Sequence, residues 1–218
     1  MSTREEVCRH IERAGLVPVV RAPSATLAER VADVLVNAGI SVLEITLTVP
    51  DAIRAIEVLA ARYAGTAVVG VGTVLAAEDV AAHVNAGAAF VVTPGFDAAV
   101  VEASHKLGAA ACAGALTPTE VISAMKSGAD MIKIFPCSAL GGAKYLRALR
   151  GPLPGLKLLP TGGVTVHTVH EYIEAGAAAL GVGSELVDAK LLSTDGGEQA
   201  IATRAREFLD ALHKARHL

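Results

Sequence analysis

Four short segments of the chain share one pattern, and their spacing constrains the fold more than any other feature. Each segment ends a helix-like stretch with a glycine and leads directly into a run of apolar residues. Glycine suits the left-handed position after a helix, so each segment predicts a helix end followed by a strand start. The segments are Asn37-Ala38-Gly39-Ile40, Asn85-Ala86-Gly87-Ala88, Ser127-Gly128-Ala129-Asp130 and Glu174-Ala175-Gly176-Ala177.

The four glycines lie 48, 41 and 48 residues apart, counted from position 39 to 87, 87 to 128 and 128 to 176. An interval of this length accommodates two β-α units, so four intervals accommodate eight strands. Strict alternation of eight strands with helices favours a (β/α)8 TIM barrel over a doubly wound sheet. The pattern predicts strands near 17–21, 41–46, 67–72, 89–93, 109–112, 130–135, 156–160 and 178–182, with a final helix near 197–215.

Composition agrees with one barrel and limits its partners. The 218 residues are 52% hydrophobic and 3% aromatic, which suits a single core of helices packed tightly on a parallel sheet. We predict one domain over 1–218, with an extra N-terminal helix near 2–14 (segment 1–15) that caps the barrel floor, and the barrel over 16–218. A net charge of −3, without basic clusters among aromatic residues, argues against nucleic-acid binding.

The cysteines and the N-terminal segment indicate the compartment. Cys8, Cys112 and Cys137 are odd in number, far apart and without metal-site spacing, so they predict reduced thiols. The first fifteen residues are charged and lack an apolar signal core, and no apolar stretch reaches the length of a membrane span. We therefore expect a soluble cytoplasmic protein without a membrane partner.

A lysine interrupts one of the predicted strands. The run is Ala129-Asp130-Met131-Ile132-Lys133-Ile134-Phe135-Pro136, and alternation places Lys133 on the face opposite Ile132 and Ile134. A lysine held inside a fold loses solvation, so its pKa falls and its amine becomes a usable nucleophile near neutral pH. Schiff-base chemistry requires such an amine. A buried lysine that is merely paired with an acid is the alternative at this point.

Polar residues also mark other predicted strands. In strand two, Glu44 and Thr46 face away from Leu43 and Ile45, and Thr48 continues their side. Barrel active sites form at the carboxyl ends of the strands, so inward charges on several strands are hard to explain as packing. Strands one, three, four and seven end in Arg21, Thr73, Thr93-Pro94 and Thr161.

The three charged residues have complementary chemistry. Lys133 can attack a ketone to give a carbinolamine and then an imine, which withdraws electrons from the adjacent carbon. Glu44 is the only obvious proton donor and acceptor among the strand-end groups, acting directly or through a bound water. Arg21 would lower the amine pKa further and could hold a substrate carboxylate. A salt bridge to Glu44 is the alternative role of Arg21.

Two glycine-rich segments follow strands seven and eight. They are Thr161-Gly162-Gly163-Val164 and Gly181-Val182-Gly183-Ser184-Glu185-Leu186. In phosphate-binding barrels these two loops, with a short helix opening after strand eight, present backbone N–H groups to the anion. The sequence therefore predicts a phosphate cup at this position, with Ser184 available to cap the short helix.

Several segments, in this order and spacing, carry a family resemblance. The most specific are Lys133-Ile134-Phe135-Pro136 and Pro160-Thr161-Gly162-Gly163-Val164. The others are Val19-Val20-Arg21-Ala22, Leu43-Glu44-Ile45-Thr46-Leu47-Thr48-Val49-Pro50-Asp51-Ala52, Gly70-Val71-Gly72-Thr73-Val74, Val92-Thr93-Pro94-Gly95, Leu116-Thr117-Pro118-Thr119-Glu120 and Gly181-Val182-Gly183-Ser184. Over nearly its whole length the chain resembles the class I 2-keto-3-deoxy-6-phosphogluconate (KDPG) / 4-hydroxy-2-oxoglutarate (KHG) aldolases.

The resemblance implies a lyase that splits KDPG into pyruvate and glyceraldehyde 3-phosphate, with KHG cleavage to pyruvate and glyoxylate as a second activity. It implies that Lys133 forms the Schiff base and that Glu44 is the general acid/base. No metal or cofactor is expected, because the imine serves as the electron sink, and members are typically homotrimers. The implied substrate contacts are Thr73, Pro94 and Phe135 around the pyruvate portion, Thr161 beside the substrate chain, and Gly162, Gly163, Gly183 and Ser184 on the phosphate.

One position departs from the family pattern. Many members carry an arginine, assigned to the substrate carboxylate, where this chain has Thr48. We include Thr48 among the substrate-binding candidates and expect Arg21, at the end of the neighbouring strand, to supply the missing charge. The departure leaves activity on the galactonate epimer open, although Pro160-Thr161 favours the gluconate-type substrate.

Two other functions fit parts of the pattern. A sugar-phosphate isomerase or epimerase on the same barrel would use Lys133 only electrostatically and would form no covalent adduct. A non-catalytic phosphometabolite-binding barrel would be stabilised by ligand without turnover. The inward Glu–Lys pair argues against the second, since binding alone requires neither a buried amine nor a proton shuttle.

Overall fold

The computed structural model describes residues 3–188, 191 and 194–217. Its strands are β1 (Leu16–Val20), β2 (Val42–Thr46), β3 (Val68–Gly72), β4 (Phe90–Val92), β5 (Ala110–Ala115), β6 (Met131–Ile134), β7 (Leu158–Pro160) and β8 (Leu180–Val182). Its α-helices are α1 (Arg4–Ala14), α2 (Ala25–Asn37), α3 (Ala52–Arg62), α4 (Val80–Asn85), α5 (Ala98–Lys106), α6 (Pro118–Lys126), α7 (Ala143–Arg150), α8 (Val169–Glu174) and α9 (Gly197–Arg216). Short 3₁₀ turns lie at Ala77–Asp79 and Cys137–Leu140.

Every predicted strand overlaps an observed one, and the predicted final helix corresponds to α9. The repeated glycines also behave as predicted. Gly39, Gly87, Gly128 and Gly176 all have positive φ, between 78° and 113°, the conformation that ends a helix at little cost for glycine. The pattern that organises the sequence is therefore a series of helix ends.

The first helix begins where its sequence provides a cap. The hydroxyl of Thr3 accepts a hydrogen bond from the Glu6 N–H, and the Glu6 carboxylate accepts one from the Thr3 N–H. This reciprocal arrangement satisfies two amide groups that a helix start leaves without partners. The predicted start of this helix at residue 2 lies outside the described residues.

The strands form one parallel sheet in the order β7-β6-β5-β4-β3-β2-β1-β8. The two ends of this order meet through isolated parallel bridges from Leu158 to Ala177 and from Thr161 to Gly181. The sheet is thus a nearly closed (β/α)8 barrel, as predicted. None of the described helices is long and apolar enough to cross a bilayer.

Alternate residues of each strand belong to two separate apolar layers. Ile132 and Ile134 of β6 lie in the layer between strands and outer helices, whereas Met131 lies in the barrel interior. Helix α1 closes the interior at the amino-terminal ends of the strands, as predicted. We call this closed end the floor; it consists of Val7, Cys8 and Ile11 of α1 with Val17, Val42, Phe90, Val92, Ala110, Cys112, Met131, Leu159 and Ala179.

Candidate active site

The lysine and the glutamate singled out in the sequence meet inside the barrel. β2 and β6 lie on opposite sides of the barrel, since three strands separate them in either direction. Lys133 Nζ and Glu44 Oε1 are 3.9 Å apart, and the side chains are 6% and 1% exposed. The distance is an ion-pair contact but too long for a direct hydrogen bond, so the amine stays available to attack a substrate.

Glu44 is held in an environment that favours its neutral form. Burial raises the pKa of the Glu44 carboxyl, and the positive charges of Lys133 and Arg21 oppose that rise in part. Among the described residues no group donates a hydrogen bond to Glu44 Oε1. A carboxyl whose pKa is raised by desolvation is suited to give a proton and take it back near neutral pH.

A cavity of about 250 Å³ opens above this pair, at the carboxyl ends of the strands. We call this open end the mouth; its polar centre is Lys133 and Glu44. Ten predicted site residues line the cavity: Arg21, Thr73, Pro94, Lys133, Phe135, Thr161, Gly162, Gly163, Gly183 and Ser184. Two larger cavities, about 440 and 400 Å³, lie near the floor. Among the described residues, His10 is the only titratable side chain that lines the first, whereas the second is lined by Glu6, Arg9, His10 and Arg13 of α1. The buried pair of Lys133 and Glu44, rather than size, therefore distinguishes the mouth.

Phe135 forms a wall next to the amine. Its ring centroid lies 5.5 Å from Lys133 Nζ, within cation–π distance. On its other side, a Cβ at Gly162 would lie 3.4 Å from the ring. The aromatic side chain therefore links the lysine to the glycine-rich loop after β7.

Two threonines shape the opposite wall. Thr73 has a φ of 45°, which is unusual for a β-branched residue and marks a locally strained backbone at the site. Thr93 is 3% exposed, and its hydroxyl accepts from the Gly114 N–H at 2.8 Å and donates to the Gly95 carbonyl at 2.6 Å. Thr93 thereby fixes the turn that presents Pro94 to the cavity.

The glycine-rich loops form a cup of free amide groups. Gly162 and Gly163 have φ values of 87° and 76°, and a Cβ at Gly163 would lie 2.3 Å from the Ser138 hydroxyl oxygen. Within the described residues, no hydrogen bond uses the N–H of Gly162, Gly163, Gly183 or Ser184 as donor. Unpaired amides that line a cavity can bind an anion.

The segment after β8 is a turn where a short helix was predicted. The N–H groups of Leu186 and Val187 both donate to the Gly183 carbonyl, at 3.0 and 2.9 Å. Ser184 is exposed at the cup and has no capping hydrogen bond within this turn. Residues 189, 190, 192 and 193 lie outside the described residues, so the predicted short helix is not tested there.

The family model described as KDPG and KHG aldolase matches residues 7–202. The chain belongs to the KDPG/KHG aldolase family. It is 32% identical to a 2-dehydro-3-deoxy-phosphogluconate aldolase of Haemophilus influenzae, over 96% of this chain and 98% of the relative.

Two further relatives bear on substrate and chemistry. The chain is 36% identical to a 2-dehydro-3-deoxy-6-phosphogalactonate aldolase of Escherichia coli, over 70% of this chain and 74% of the relative. A KDPG aldolase from Legionella pneumophila, solved with pyruvate as a covalent carbinolamine intermediate, superposes with a TM-score of 0.79 at 28% identity. The match covers 94% of this chain and 97% of that one.

Two residues of this KDPG/KHG aldolase are placed differently from the rest of the predicted set. Glu44 lies 3.9 Å from Lys133 Nζ and is not among the residues that line the cavity. Thr48 is exposed outside the cavity, with its hydroxyl 2.7 Å from that of Thr46. The structure thus gives Thr48 no direct place at the cavity, although it lies one hydrogen bond from the inward face of β2.

Arg21 is free of the salt bridge considered as its alternative role. No ion pair among the described residues joins Arg21 to Glu44, although the charge of Arg21 still acts on the carboxyl. The Arg21 side chain is exposed, and a Cβ at Gly183 would lie 3.6 Å from its Nη1. The guanidinium therefore reaches the cavity on the side of the β8 loop.

Four further residues line the cavity: Val19, Val164, Gly181 and Glu185. Val164, Gly181 and Glu185 lie in the two glycine-rich segments predicted to form the cup, although none of them was named as a substrate contact. Val19 was missed, and alternation from Arg21 would have found it, because it lies two residues earlier on the same face. Cys137 is fully buried outside the cavity lining, where burial raises the pKa of its thiol to about 11.

Proposed function

We propose that the chain is a class I aldolase that cleaves KDPG into pyruvate and glyceraldehyde 3-phosphate through a Schiff base on Lys133. The observation that carries the proposal is the buried Lys133–Glu44 pair, 3.9 Å apart, beneath a cavity bordered by unpaired backbone amides. The covalent carbinolamine in the related Legionella enzyme supports the same chemistry.

The first half of the reaction forms the imine. The lone pair of Lys133 Nζ attacks the C2 carbonyl carbon, and the carbonyl oxygen takes a proton to give a carbinolamine. The hydroxyl of the carbinolamine then leaves as water while Nζ forms a double bond to C2. Burial raises the pKa of Glu44, so its carboxyl is suited to give the proton with which the hydroxyl leaves as water, directly or through a water molecule, while the carbonyl oxygen takes the proton that Nζ loses on attack.

The second half breaks the carbon–carbon bond. The ionised Glu44 removes the proton of the C4 hydroxyl, the C4–O bond becomes a carbonyl, and the C3–C4 bonding electrons move into the iminium to form an enamine. Glyceraldehyde 3-phosphate leaves, and the enamine carbon takes a proton from Glu44. Water then hydrolyses the imine, which releases pyruvate and restores the amine.

The phosphate of the substrate would bind the cup at the mouth. The N–H groups of Gly162, Gly163, Gly183 and Ser184 are available there, and the close approach of Ser138 to Gly163 explains why a side chain is excluded from position 163. Binding the phosphate at this end would direct the keto group downward toward Lys133.

The remaining predicted residues would surround the keto-acid portion. Thr73, Pro94 and Phe135 border the cavity beside Lys133, and Thr161 lies at its β7 edge. Arg21 would attract the carboxylate of the keto acid, with a charge that the exposed Thr48 lacks. We propose KHG as a second substrate, and the gluconate-type substrate over its galactonate epimer because of Pro160-Thr161.

We also propose that the enzyme works without a metal. The imine withdraws the electrons that a metal would otherwise polarise, and within the described residues no group of three or more His, Cys, Asp or Glu side chains could hold an ion. Turnover should be unchanged after dialysis against a chelator. Loss of turnover that returns with an added divalent cation would contradict this.

The assembly and compartment belong to the same proposal. We propose a cytoplasmic homotrimer, since Leu75 and Ile53, at 67% and 42% exposure, are large apolar side chains that association could cover. Light scattering during gel filtration should give three times the mass of the 22.2 kDa chain. A monomer or dimer mass would contradict the trimer without affecting the chemistry.

The decisive test is trapping with pyruvate and borohydride. Peptide mass spectrometry should find a reduced pyruvate adduct on Lys133 and on no other lysine. An isomerase or epimerase, in which Lys133 acts only electrostatically, would turn over sugar phosphates without any adduct. A non-catalytic binding barrel would gain thermal stability with phosphorylated ligands but release no pyruvate from KDPG or its galactonate epimer.

A further inference from the structure

The Glu44 carboxyl lies directly over a glycine of the neighbouring strand. In the β2–β3 register, Glu44 pairs with Gly70 and Thr46 pairs with Gly72. The Glu44 side chain leans along the strand direction toward the mouth, and its carboxyl stops over Gly72. A Cβ built at Gly72 would lie 1.9 Å from Glu44 Oε1, 2.5 Å from Cδ and 2.7 Å from Cγ.

We propose that Gly72 is a positioning residue for Glu44: the space left by its missing side chain is the seat of the general acid/base. The seat itself is a geometric feature of the barrel. Its catalytic importance rests on the proposed aldolase function, in which Glu44 moves the protons.

The backbone at Gly72 gives no other reason for glycine. Gly72 has no positive φ, so its backbone is open to other residues, and glycine inside a strand costs about 0.5–1 kcal/mol relative to alanine. A glycine in a strand often marks the close approach of another group. Here that group is the carboxyl of Glu44, at distances that no real Cβ could share.

The seat also accounts for how Glu44 is held. Glu44 Oε1 packs against the backbone of Gly72 in β3, and no group among the described residues donates a hydrogen bond to it. Shape and the charge of Lys133, 3.9 Å away, fix the carboxyl. Removing water in this way raises the pKa of the Glu44 carboxyl, whereas a ring of hydrogen-bond donors would lower it.

The test is Gly72→Ala, read by proton exchange rather than by full turnover. Wild-type enzyme with pyruvate in D2O should exchange the pyruvate methyl protons, because the enamine is formed and reprotonated without any aldehyde. The new methyl group would displace the carboxyl by more than about 1 Å, which can cost about 10²-fold in rate. We expect kcat for exchange to fall about 10²-fold, with KM for pyruvate changed less than threefold and borohydride trapping on Lys133 retained.

A truncated glutamate separates the seat from a general packing defect. Glu44→Ala alone should slow exchange, and adding Gly72→Ala to Glu44→Ala should slow the residual exchange further by less than threefold, because the Cγ, Cδ and Oε1 atoms that compete for position 72 are gone. Wild-type exchange in Gly72→Ala would overturn the proposal. An equal loss from Gly72→Ala in the wild-type and Glu44→Ala backgrounds would overturn it as well.

The matched control is Gly151→Ala, outside the cavity lining, where φ is −51° and a Cβ would meet nothing closer than 3.6 Å. It should exchange pyruvate protons like the wild type. If Gly72→Ala does not fold, urea unfolding of a double variant replaces the exchange measurement. Gly72→Ala combined with Glu44→Ala should then fold and unfold cooperatively, because the competing carboxyl is gone; failure of this double variant to fold would overturn the seat.

Failure of the proposed function gives a different result. Wild-type protein that neither traps pyruvate nor exchanges its protons would remove the aldolase proposal. The seat would still be tested by stability measurements. Gly72→Ala should lower the urea midpoint much more in the wild-type background than in the Glu44→Ala background. Equal shifts in the two backgrounds would show that the space at Gly72 does not serve Glu44.

Discussion

The floor and the mouth of this barrel are built from the same strands but have opposite chemistry. On β6, Met131 faces the floor and Lys133, two residues later, faces the mouth. On β2, Val42 and Glu44 make the same change. On each of these strands, two residues therefore separate the apolar floor from the polar and reactive mouth.

The difference shows that stability and reactivity are arranged in layers. The floor packs apolar side chains at ordinary strand geometry, and α1 seals it. The mouth contains the positive φ of Thr73, the left-handed Gly162 and Gly163, and a buried carboxyl oxygen without a hydrogen-bond donor among the described residues. Strain and unpaired polar groups cost stability, so changes at the mouth should lower activity and changes at the floor should lower stability.

The largest effect is expected at the lysine. Lys133→Ala should remove the nucleophile and lower kcat for KDPG cleavage by more than about 10⁴-fold, beyond the usual contribution of an acid–base group. Thermal unfolding should show a folded protein. The matched control is Lys157→Ala, a half-exposed lysine paired with Glu12 at 2.6 Å, which should turn over like the wild type. Appreciable cleavage by Lys133→Ala would exclude Schiff-base catalysis.

A smaller but still large loss is expected at Glu44. Glu44→Gln keeps the shape of the side chain but cannot exchange protons, so kcat should fall about 10²- to 10⁴-fold. Borohydride should still trap pyruvate on Lys133 in this variant, though more slowly. Wild-type kcat would assign the proton transfers to another group.

At the floor, a substitution should lower stability rather than activity. Ile11 on α1 is fully buried against the barrel interior, so Ile11→Ala should lower the free energy of unfolding by about 2–5 kcal/mol. The kcat of the folded fraction at 25 °C should stay within twofold of wild type. Arg9→Ala, an exposed change on the same helix, should shift stability by less than about 0.5 kcal/mol. A large kcat loss in Ile11→Ala would mean that the floor and the mouth are coupled.

The same layering explains what sequence could predict. Glycines at helix ends and apolar runs are local signals, so Gly39, Gly87, Gly128 and Gly176 located the strand starts. Inward alternation was also sufficient to place Lys133 and Glu44 together, since facing strands of a barrel share one narrow interior.

What escaped prediction depends on contacts across the fold. The exposed position of Thr48 and the approach of Arg21 to Gly183 follow from how the loops turn after their strands. The seat at Gly72 depends on the register between β2 and β3. None of these contacts can be predicted from the local periodicity of the sequence.

Arg21 lies between the proposed carboxylate site and the proposed phosphate site of the mouth. Its removal should weaken substrate binding but cost less activity than the loss of Lys133 or Glu44. A hydrogen bond to a charged group contributes about 1.5–3 kcal/mol, so Arg21→Ala should raise KM about tenfold to a hundredfold and change kcat less. If Arg21 holds the keto-acid carboxylate, the rise should appear with KDPG and also with KHG, which carries no phosphate. A rise confined to KDPG would instead assign Arg21 to the phosphate, the side on which it approaches Gly183. Unchanged constants for both substrates would remove Arg21 from substrate binding.

The smallest expected effect is a pH dependence of stability that originates at the mouth alone. Burial raises the pKa of Glu44 in the folded protein above its ordinary value of 4.5. Below pH 4.5 the carboxyl is protonated in both states, so its contribution to stability is fully present. As the pH rises, the unfolded chain releases this proton first, and stability is lost progressively until the folded carboxyl also ionises.

Glu44→Gln carries no such proton, while the other titrating groups are shared by the two proteins. The free energy of urea unfolding of Glu44→Gln, relative to wild type, should therefore increase from pH 4.5 to pH 8. Ile11→Ala, measured in the same way, should differ from wild type by a constant amount over this range, because its cost is apolar packing. A Glu44→Gln difference that stayed constant or shrank with pH would mean that hydrogen bonds or charges, rather than desolvation, control the carboxyl at the mouth.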